Sequence, residues 1–297
     1  MSFDEQLERK VEEVEEILKK FLPEAKGFQR NIMKTMEYSL MSGGKRIRPI
    51  LMIESFRLFG GGDNDWIKPF VAAIEMIHTY SLVHDDLPAM DNDEYRRGCK
   101  TTWAVYGEDV GILTGDALLN YAFETAMSAF EIAPQESVLI GRGLQVLAHK
   151  AGIYGMIGGQ VIDMEVAGEK ISKEVLDEIY TLKTAALMEA SMMIGGILGG
   201  ASEEEVKTLE CIARNMGIAF QIQDDILDVI GTFEVLGKAI HSDEKNKKTT
   251  YVTLKSLEEA KEEVKNISNQ GIEQLKSLGK NSSFLEELLL SLIYRKS

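Results

Sequence analysis

The chain has 297 residues, of which 44% are hydrophobic and 27% are charged, a composition typical of a soluble globular protein with a sizeable core. Its formal net charge of −15 argues against an extended nucleic-acid-binding face, because phosphate backbones require basic surfaces. The two cysteines, Cys99 and Cys211, fit no metal-binding spacing. No apolar run is long enough for a membrane span, and the acidic N-terminus does not resemble a signal peptide, so we expect a cytoplasmic protein.

Apolar residues recur at helical spacing along most of the chain. In the first predicted helix, Val11, Val14 and Leu18 lie on one apolar stripe, and Pro23 follows its end. The same periodicity predicts helices over 3–22, 28–41, 66–87, 110–130, 135–155, 172–198, 203–230, 256–278 and 283–294. Strand patterns are scarce, and residues 249–252 suit a loop or a helix start better than a strand. Because neither a repeat nor a linker interrupts the pattern, the sequence predicts one all-α domain over residues 1–297.

Two aspartate-rich motifs in apolar surroundings are the most informative feature of the sequence. Each contains three carboxylates: Asp85, Asp86 and Asp91 in the first, and Asp224, Asp225 and Asp228 in the second. Carboxylates are costly to bury unless a cation neutralises them. Mg²⁺ does so with one or two carboxylates, its own waters and phosphate oxygens of a substrate. The two motifs therefore predict two walls of one cleft that binds a diphosphate.

The two motifs differ in their predicted local geometry. In the second, Asp224 and Asp228 lie four apart on a helix. In the first, Pro88 removes the amide that would bond the carbonyl of His84, so the helix should end or distort there, and Asp91 could fold back toward the other two aspartates. One such motif alone is more often a solvated acidic helix face, but two copies among apolar residues favour metal binding.

Basic residues cluster near these acids. Lys45 and Arg48 follow a glycine pair and are predicted three apart on one face of a helix, which suits a diphosphate. Arg96 and Arg97 follow the first motif closely. They either pair with its aspartates or, where metal ions hold the aspartates, bind phosphate. Further candidate phosphate ligands are Lys183, Thr184 and Lys238.

Glu75 and His78 form a Glu-x-x-His pair, which is one half of the pattern found in di-iron bundles. None of the other histidines follows a glutamate at this spacing, so the di-iron interpretation fails. Two interpretations of His78 stay open: a hydrogen-bonded core histidine and a phosphate ligand.

Five blocks in fixed order resemble the trans-isoprenyl diphosphate synthases, the polyprenyl synthase family, and most closely its bacterial farnesyl diphosphate synthases. They are GGKRIRP, DDLPAMD with RRG, GGQVID, KT, and QIQDDILD followed by GK, and they extend from Gly43 toward Tyr251. The resemblance implies an isoprenoid-synthase-type helical bundle around a deep central cavity, with both aspartate motifs at its mouth. It also implies a homodimer without a nucleic-acid partner.

The resemblance implies a Mg²⁺-dependent, head-to-tail condensation of isopentenyl diphosphate with an allylic diphosphate, with several ions per site and Mn²⁺ as a substitute. The six aspartates would hold the ions. Residues for the allylic diphosphate would be Arg96, Lys183 and Lys238. Residues for isopentenyl diphosphate would be Lys45, Arg48, His78 and Arg97. Residues near the developing carbocation would be Lys183, Thr184 and Gln221. Gln160, Asp163 and Lys248 fall on family positions that support the site, Lys248 as a further substrate-binding residue.

Product length is expected to depend on Tyr80, five residues before Asp85 and therefore roughly 7–8 Å along the helix. An aromatic residue here, with the two-residue insertion before Asp91, resembles farnesyl makers. Because the neighbouring Ser81 is small, Tyr80 alone would form the floor of the cavity. The alternatives are a core tyrosine with a satisfied hydroxyl and a geranylgeranyl product.

The sequence departs from the usual family pattern at positions that are not ligands: Lys100, Trp103, Ala185 and His241. They put loop conformation and substrate preference in question. Two other functions are weaker: a terpene cyclase typically has one full aspartate motif and no isopentenyl site, and a non-catalytic subunit loses aspartates or basic ligands that this chain retains.

Overall fold

The structure, a computed structural model, describes residues 2–230 and 249–293. Contacts within the chain divide it into two units. The first comprises Met1–Ile53 and Gly62–Leu144, and the second comprises Glu54–Gly61 and Gln145–Ser297. Nearly all of the described secondary structure is helical, which confirms the all-α prediction. That residues 1–297 act as one domain stays a prediction.

The elements before residue 152 are α1 (Phe3–Phe21), α2 (Arg30–Met41), α3 (Ile47–Leu58), α4 (Lys68–Asp85), β1 (Tyr95–Arg96), β2 (Cys99–Lys100), α5 (Thr102–Tyr106), α6 (Glu108–Met127), α7 (Ala129–Ile132) and α8 (Ser137–Ala151), with 3₁₀ turns at Asp65–Ile67 and Pro134–Glu136. Those that follow are α9 (Met156–Glu165), α10 (Lys173–Ile179), a π-helical turn (Tyr180–Ala185), α11 (Ala186–Gly199), α12 (Glu203–Ile230), α13 (Tyr251–Leu254), α14 (Leu257–Ser277) and α15 (Ser283–Ile293).

Side-chain caps explain where several helices begin. Ser2 and Glu5 form a reciprocal capping box at the start of α1, and Ser256 and Glu259 do the same for α14. Thr250 caps α13, which confirms that residues 249–252 include a helix start. These bonds satisfy amides that have no partner inside the helix.

The central helix of the first unit is α4, which packs along α6. Its residues are buried on almost every side, including Phe70, Ile74 and Ile77. Pro69 lies in its first turn, where the missing N–H costs no helical hydrogen bond. In the second unit α12 packs against α11 and α14. Among the helices of residues 2–230 and 249–293, none has both the length and the apolar character that crossing a membrane requires.

The structure differs from the predicted elements at several places. The predicted helix 172–198 is interrupted by the π-helical turn Tyr180–Ala185, and α5 (Thr102–Tyr106) and α9 (Met156–Glu165) were not predicted. The predicted helix 110–130 is divided between α6 and α7. Residues Tyr95–Lys100 form a short antiparallel hairpin, in which Arg96 pairs with Cys99. A strand of two residues is too short to produce an alternating pattern in the sequence.

Candidate functional site

The first aspartate motif lies at the end of α4, where the helix ends as Pro88 predicts. Leu87 donates its amide to the carbonyl of His84 at 3.2 Å, the last bond before the proline. The chain then turns back, and the amide of Asp91 donates to the carbonyl of Asp85 at 2.8 Å. The predicted return of Asp91 toward Asp85 is therefore confirmed at the level of the backbone.

The buried Asp86 forms an ion pair with a partly exposed arginine of the hairpin. Its side chain accepts a hydrogen bond from Arg96 Nε at 2.6 Å, and the residue is only 4% exposed. Burial raises the pKa of Asp86 to about 6, and the neighbouring Arg96 opposes this rise. Two interpretations of Arg96 were left open, and in this structure Arg96 pairs with an aspartate.

Arg97 connects the hairpin to the glycine turn before α3. It has a left-handed backbone, with φ of 54°, and its guanidinium donates to the carbonyl of Gly43. A Cβ on Gly44 would overlap this guanidinium, with Cζ at 2.9 Å, unless the arginine side chain moved, and the φ of 140° at Gly44 itself favours glycine. Burial lowers the pKa of Arg97. The turn and Arg97, both predicted to serve isopentenyl diphosphate, thus lie together in the first unit.

The helix that follows this turn begins later than predicted. Gly43, Gly44 and Arg46 all have positive φ, and α3 starts at Ile47. The prediction that Lys45 and Arg48 lie three apart on one helical face is therefore wrong, because Lys45 precedes the helix. Lys45 is exposed.

Arg46 is a buried residue that the sequence analysis missed. Its guanidinium donates to Glu75 Oε1 at 2.7 Å and to the carbonyl of Leu40 at 2.8 Å. The side chains of Arg46 and Glu75 are 0% and 3% exposed. A glutamate inside the apolar run of α4 requires a cation, and this requirement was the signal that could have identified Arg46.

One turn further along α4, His78 contacts Arg48. Arg48 Nη1 lies 3.3 Å from His78 Nε2. Burial, with Arg48 and other arginines nearby, holds the pKa of His78 well below its ordinary value, so the imidazole is neutral at pH 7. Burial also lowers the pKa of Arg48 to about 10. Glu75 thus forms an ion pair with Arg46, and His78 contacts Arg48. These contacts account for the Glu-x-x-His pair without iron.

Tyr80 is buried with a polar atom that the described residues leave unsatisfied. It is 5% exposed, its ring meets that of His84 edge to face at 5.9 Å, and its hydroxyl has no hydrogen-bond partner in residues 2–230 and 249–293. Burial raises the pKa of Tyr80 to about 12. Ser81 donates its hydroxyl to the carbonyl of His78 at 2.8 Å. The alternative of a core tyrosine assumed a hydrogen-bonded hydroxyl, and the described residues provide no partner for it.

In the second unit the predicted Lys183 and Thr184 lie in the π-helical turn Tyr180–Ala185. Lys183 Nζ donates to Asp163 Oδ2 at 2.7 Å, and Thr184 Oγ1 donates to Gln221 Oε1 at 3.0 Å. Turns of this kind occur frequently at functional sites. The KT block is thus hydrogen-bonded to two other predicted blocks, to GGQVID through Asp163 and to QIQDDILD through Gln221.

The second aspartate motif lies near the end of α12, with Asp225 and Asp228 buried. Asp225 Oδ2 accepts from the hydroxyl of Tyr180 and from the amide of Tyr251 at 2.7 Å. Neither tyrosine was predicted as a site residue. The predicted Lys238 and Lys248 lie outside the described residues, as does His241.

The carboxylates offer the hard oxygen ligands that Mg²⁺ prefers. Within the described ranges, no three His, Cys, Asp or Glu side chains converge closely enough to hold a metal ion by themselves. Mg²⁺ commonly uses one or two carboxylates and takes its other ligands from water and phosphate. The donor set therefore fits a cation that binds together with a diphosphate. Because the motifs lie in different units, one shared cleft stays a prediction.

Comparison with known proteins gives consistent results. The Polyprenyl synthetase family model matches residues 29–287. A geranylgeranyl diphosphate synthase of Cyanophora paradoxa is 44% identical over 277 residues, 89% of this chain and 90% of that protein. A farnesyl diphosphate synthase of Geobacillus stearothermophilus is 42% identical over 264 residues, 89% of this chain and 88% of that protein.

A solved structure shares the fold. It is the geranyltransferase of Helicobacter pylori complexed with magnesium and isoprenyl diphosphate, with a TM-score of 0.84, 32% identity, and coverage of 99% of this chain and 97% of that one. The family resemblance is confirmed, as is the isoprenoid synthase fold. The chain therefore belongs to the polyprenyl synthetase family, as a trans-prenyl diphosphate synthase.

Proposed function

We propose that the chain condenses isopentenyl diphosphate with dimethylallyl and geranyl diphosphate and releases mainly farnesyl diphosphate. Relatives of similar identity make either farnesyl or geranylgeranyl diphosphate by name, so product length depends on this chain's own residues. The observation that carries the farnesyl proposal is Tyr80, a buried ring with an unsatisfied hydroxyl before Asp85. Analysis of the products formed with Mg²⁺ and both diphosphates tests it.

Mg²⁺ would be held by the carboxylates of the first motif and by Asp224 and Asp228 of the second. When bound, it would neutralise the diphosphate and act as a Lewis acid on the leaving group. Its use in the family is supported by the magnesium in the Helicobacter pylori complex. Mn²⁺ as a substitute and several ions per site belong to the same proposal.

On the allylic side, Arg96 and Lys183 bind the diphosphate, with Lys238 as a third cation outside the described residues. Both described cations already contact a carboxylate, Asp86 or Asp163, which fixes their side chains before substrate arrives. Fixed cations stabilise the charge that develops on the leaving pyrophosphate without reorganising during the reaction.

The hydroxyl of Thr184, in the π-helical turn, acts on the carbon that ionises. The hydroxyl of Thr184 donates to Gln221, which leaves the lone pairs of that hydroxyl for the developing cation. Pyrophosphate leaves with the electron pair of its C–O bond, the isopentenyl double bond attacks the allylic cation, and transfer of a proton from the added unit to the released pyrophosphate completes the new chain. Electrostatic preorganisation of this kind usually contributes most to catalysis.

On the isopentenyl side, Lys45, Arg48 and Arg97 bind the diphosphate, and His78 holds Arg48. A neutral His78 contacts the guanidinium without adding charge, since its pKa lies well below the ordinary value. Arg97 is anchored on the carbonyl of Gly43, beside Lys45. These contacts support a preformed anion site around the glycine turn.

Arg97→Ala and Lys45→Ala are expected to raise KM for isopentenyl diphosphate about tenfold, because each loses one charge-assisted hydrogen bond. KM for the allylic substrate should change little, and Arg96→Ala should show the reverse pattern. Steady-state kinetics with each substrate varied separately measures both constants. Lys26→Ala, which removes a cation from an exposed surface pair, is the control. Equal losses for both substrates in all three variants would show that the assignment is wrong.

Tyr80→Ala is expected to shift the main product from farnesyl to longer chains, because it removes the ring proposed as the floor. Tyr80→Phe keeps the ring and removes a hydroxyl without a described partner, so its product should remain farnesyl diphosphate. Chromatography of the dephosphorylated products measures both. A mainly geranylgeranyl wild-type product, or an unchanged profile in Tyr80→Ala, would place the floor elsewhere.

The terpene cyclase and the non-catalytic subunit are separated by one assay. A transferase releases pyrophosphate from dimethylallyl diphosphate faster when isopentenyl diphosphate is present, and it forms a longer product. A cyclase needs no isopentenyl diphosphate, and a non-catalytic subunit releases nothing. Retention of both full aspartate motifs and the glycine turn supports the transferase.

A homodimer is part of the proposal. Three apolar side chains near α9 are largely exposed in the second unit: Ile153 at 70%, Tyr154 at 69% and Val161 at 48%. We propose that this segment contributes to an interface between copies of the chain, which would cover these side chains. Sedimentation equilibrium of the purified protein tests it.

A further inference from the structure

One face of α12 contacts the π-helical turn at successive positions. Gln221 and Asp225 lie four apart and therefore one above the other. Thr184 donates to Gln221, and Tyr180 donates to Asp225. Tyr180 and Thr184 are also four apart, and the earlier residue of the turn bonds the later residue of α12. The two segments therefore run antiparallel, and the two bonds fix the register of the turn against α12.

The same face continues one turn earlier, at Gly217. A Cβ there would lie 2.5 Å from the Cβ of Ala185 and 2.6 Å from its Cα, distances that real Cβ atoms essentially never show. The missing side chain lets the end of the π-helical turn rest directly on α12. Ala185, which stands where glycine is usual in the family, is accommodated by this contact.

The opposite side of the turn rests on α9. A Cβ on Gly159 would overlap the amide nitrogen of Lys183 and approach the carbonyl carbon of Leu182 to 2.8 Å. Four residues later on the same helix, Asp163 accepts from Lys183 at 2.7 Å. The turn that carries Lys183 and Thr184 is therefore held from both sides.

Asp225 makes two of the contacts that stabilise this arrangement. Besides the hydroxyl of Tyr180, its Oδ2 accepts from the amide of Tyr251 at 2.7 Å, which attaches the start of α13 to α12. The residue is 4% exposed. A carboxylate oxygen that accepts two hydrogen bonds from protein donors has both of its lone pairs engaged.

We propose that Asp225 is a positioning residue, and that together with Tyr180 it holds Lys183 and Thr184 in register for the allylic substrate while Asp224 serves the cation. This assignment rests on the proposed function. Under this assignment, two neighbouring aspartates of the second motif have different roles. Neighbouring residues on a helix point about 100° apart, so Asp224 and Asp225 face different surroundings.

Kinetics of conservative variants tests the division. Tyr180→Phe and Asp225→Ala are expected to raise KM for the allylic diphosphate about tenfold and leave KM for isopentenyl diphosphate within about twofold, because both remove an anchor of the π-helical turn and neither touches Lys45, Arg48 or Arg97. Asp225→Ala also removes the bond to the amide of Tyr251, so Tyr180→Phe is the cleaner of the two variants. Asp225→Asn keeps an oxygen that accepts both bonds, so its KM values should stay near wild type. A merely structural role would lower the amount of active enzyme and change neither KM.

The Mg²⁺ requirement separates the two neighbouring aspartates. Asp225→Asn should keep the half-saturating Mg²⁺ concentration within about twofold of wild type, whereas Asp224→Asn should raise it about tenfold or more. Asp177→Asn, at a more exposed position in the second unit, is the matched control. An equal shift in both aspartate variants would make Asp225 a ligand and overturn the proposal.

A double-mutant cycle tests the contact without metal or substrate. Thermal unfolding in EDTA of Tyr180→Phe, Asp225→Ala and the double variant should show non-additive losses, because either substitution removes the same hydrogen bond. Additive losses would overturn the proposal whatever the activity of the protein. If the wild type fails to transfer a prenyl group while the losses are non-additive, the contact stands and the proposed function fails instead.

Discussion

Turnover is expected to fall by about three orders of magnitude in Asp85→Ala and in Asp224→Ala, and wild-type activity should disappear in EDTA. Each substitution removes a proposed ligand of the cation that stabilises the leaving pyrophosphate. Such a loss raises the barrier by several kcal/mol, and each ~1.4 kcal/mol slows the reaction about tenfold. Steady-state pyrophosphate release at saturating concentrations of both diphosphates measures the effect.

Asp65→Ala is the matched control, because Asp65 pairs with Lys68 on the surface of the first unit. Its turnover should equal that of the wild type. Adding excess Mg²⁺ after EDTA should restore the wild type. Unchanged turnover in EDTA, or in either variant of the aspartate motifs, contradicts the proposed use of the cation.

The helices were predictable where one face is apolar and the other charged. In α1 the stripe and the caps agree, and the structure ends the helix at Phe21, one residue before the predicted end. The π-helical turn at Tyr180–Ala185 was not predictable in this way. A π-helical turn holds one more residue than an α-helical turn, and the types of residue in the helix do not reveal it. It depends on contacts with α9 and α12 that are distant in sequence.

The site was predictable as a set of motifs but not as a set of contacts. The aspartates could be recognised because burying carboxylates among apolar neighbours costs free energy. Pro88 correctly predicts the end of α4. Which basic residue of the glycine turn is buried is not evident from the sequence pattern: Arg46 is buried and pairs with Glu75, whereas Lys45 is exposed. The partners of Asp225 come from Tyr180 and Tyr251, and nothing in the local pattern around Asp225 indicates them.

Glu75→Ala is expected to destabilise the first unit more than any surface substitution. It leaves the guanidinium of Arg46, whose side chain is 0% exposed, with the carbonyl of Leu40 at 2.8 Å and Glu15 only at 3.7 Å. Removing one partner of a buried ion pair costs about 3–5 kcal/mol. For a protein of this size, we expect the thermal unfolding midpoint to fall by about 10 °C.

Two further variants separate the buried charge from the loss of packing. Glu24→Ala breaks an exposed pair with Lys26, both side chains being 73% exposed, and should change the midpoint little, since such pairs contribute about 0–1 kcal/mol. The double variant Arg46→Met, Glu75→Met removes both charges and keeps apolar volume, so it should unfold at a higher temperature than Glu75→Ala. A double variant less stable than Glu75→Ala would show that the turn before α3 needs the guanidinium itself, through its bond to Leu40, and that the uncompensated charge is the smaller effect.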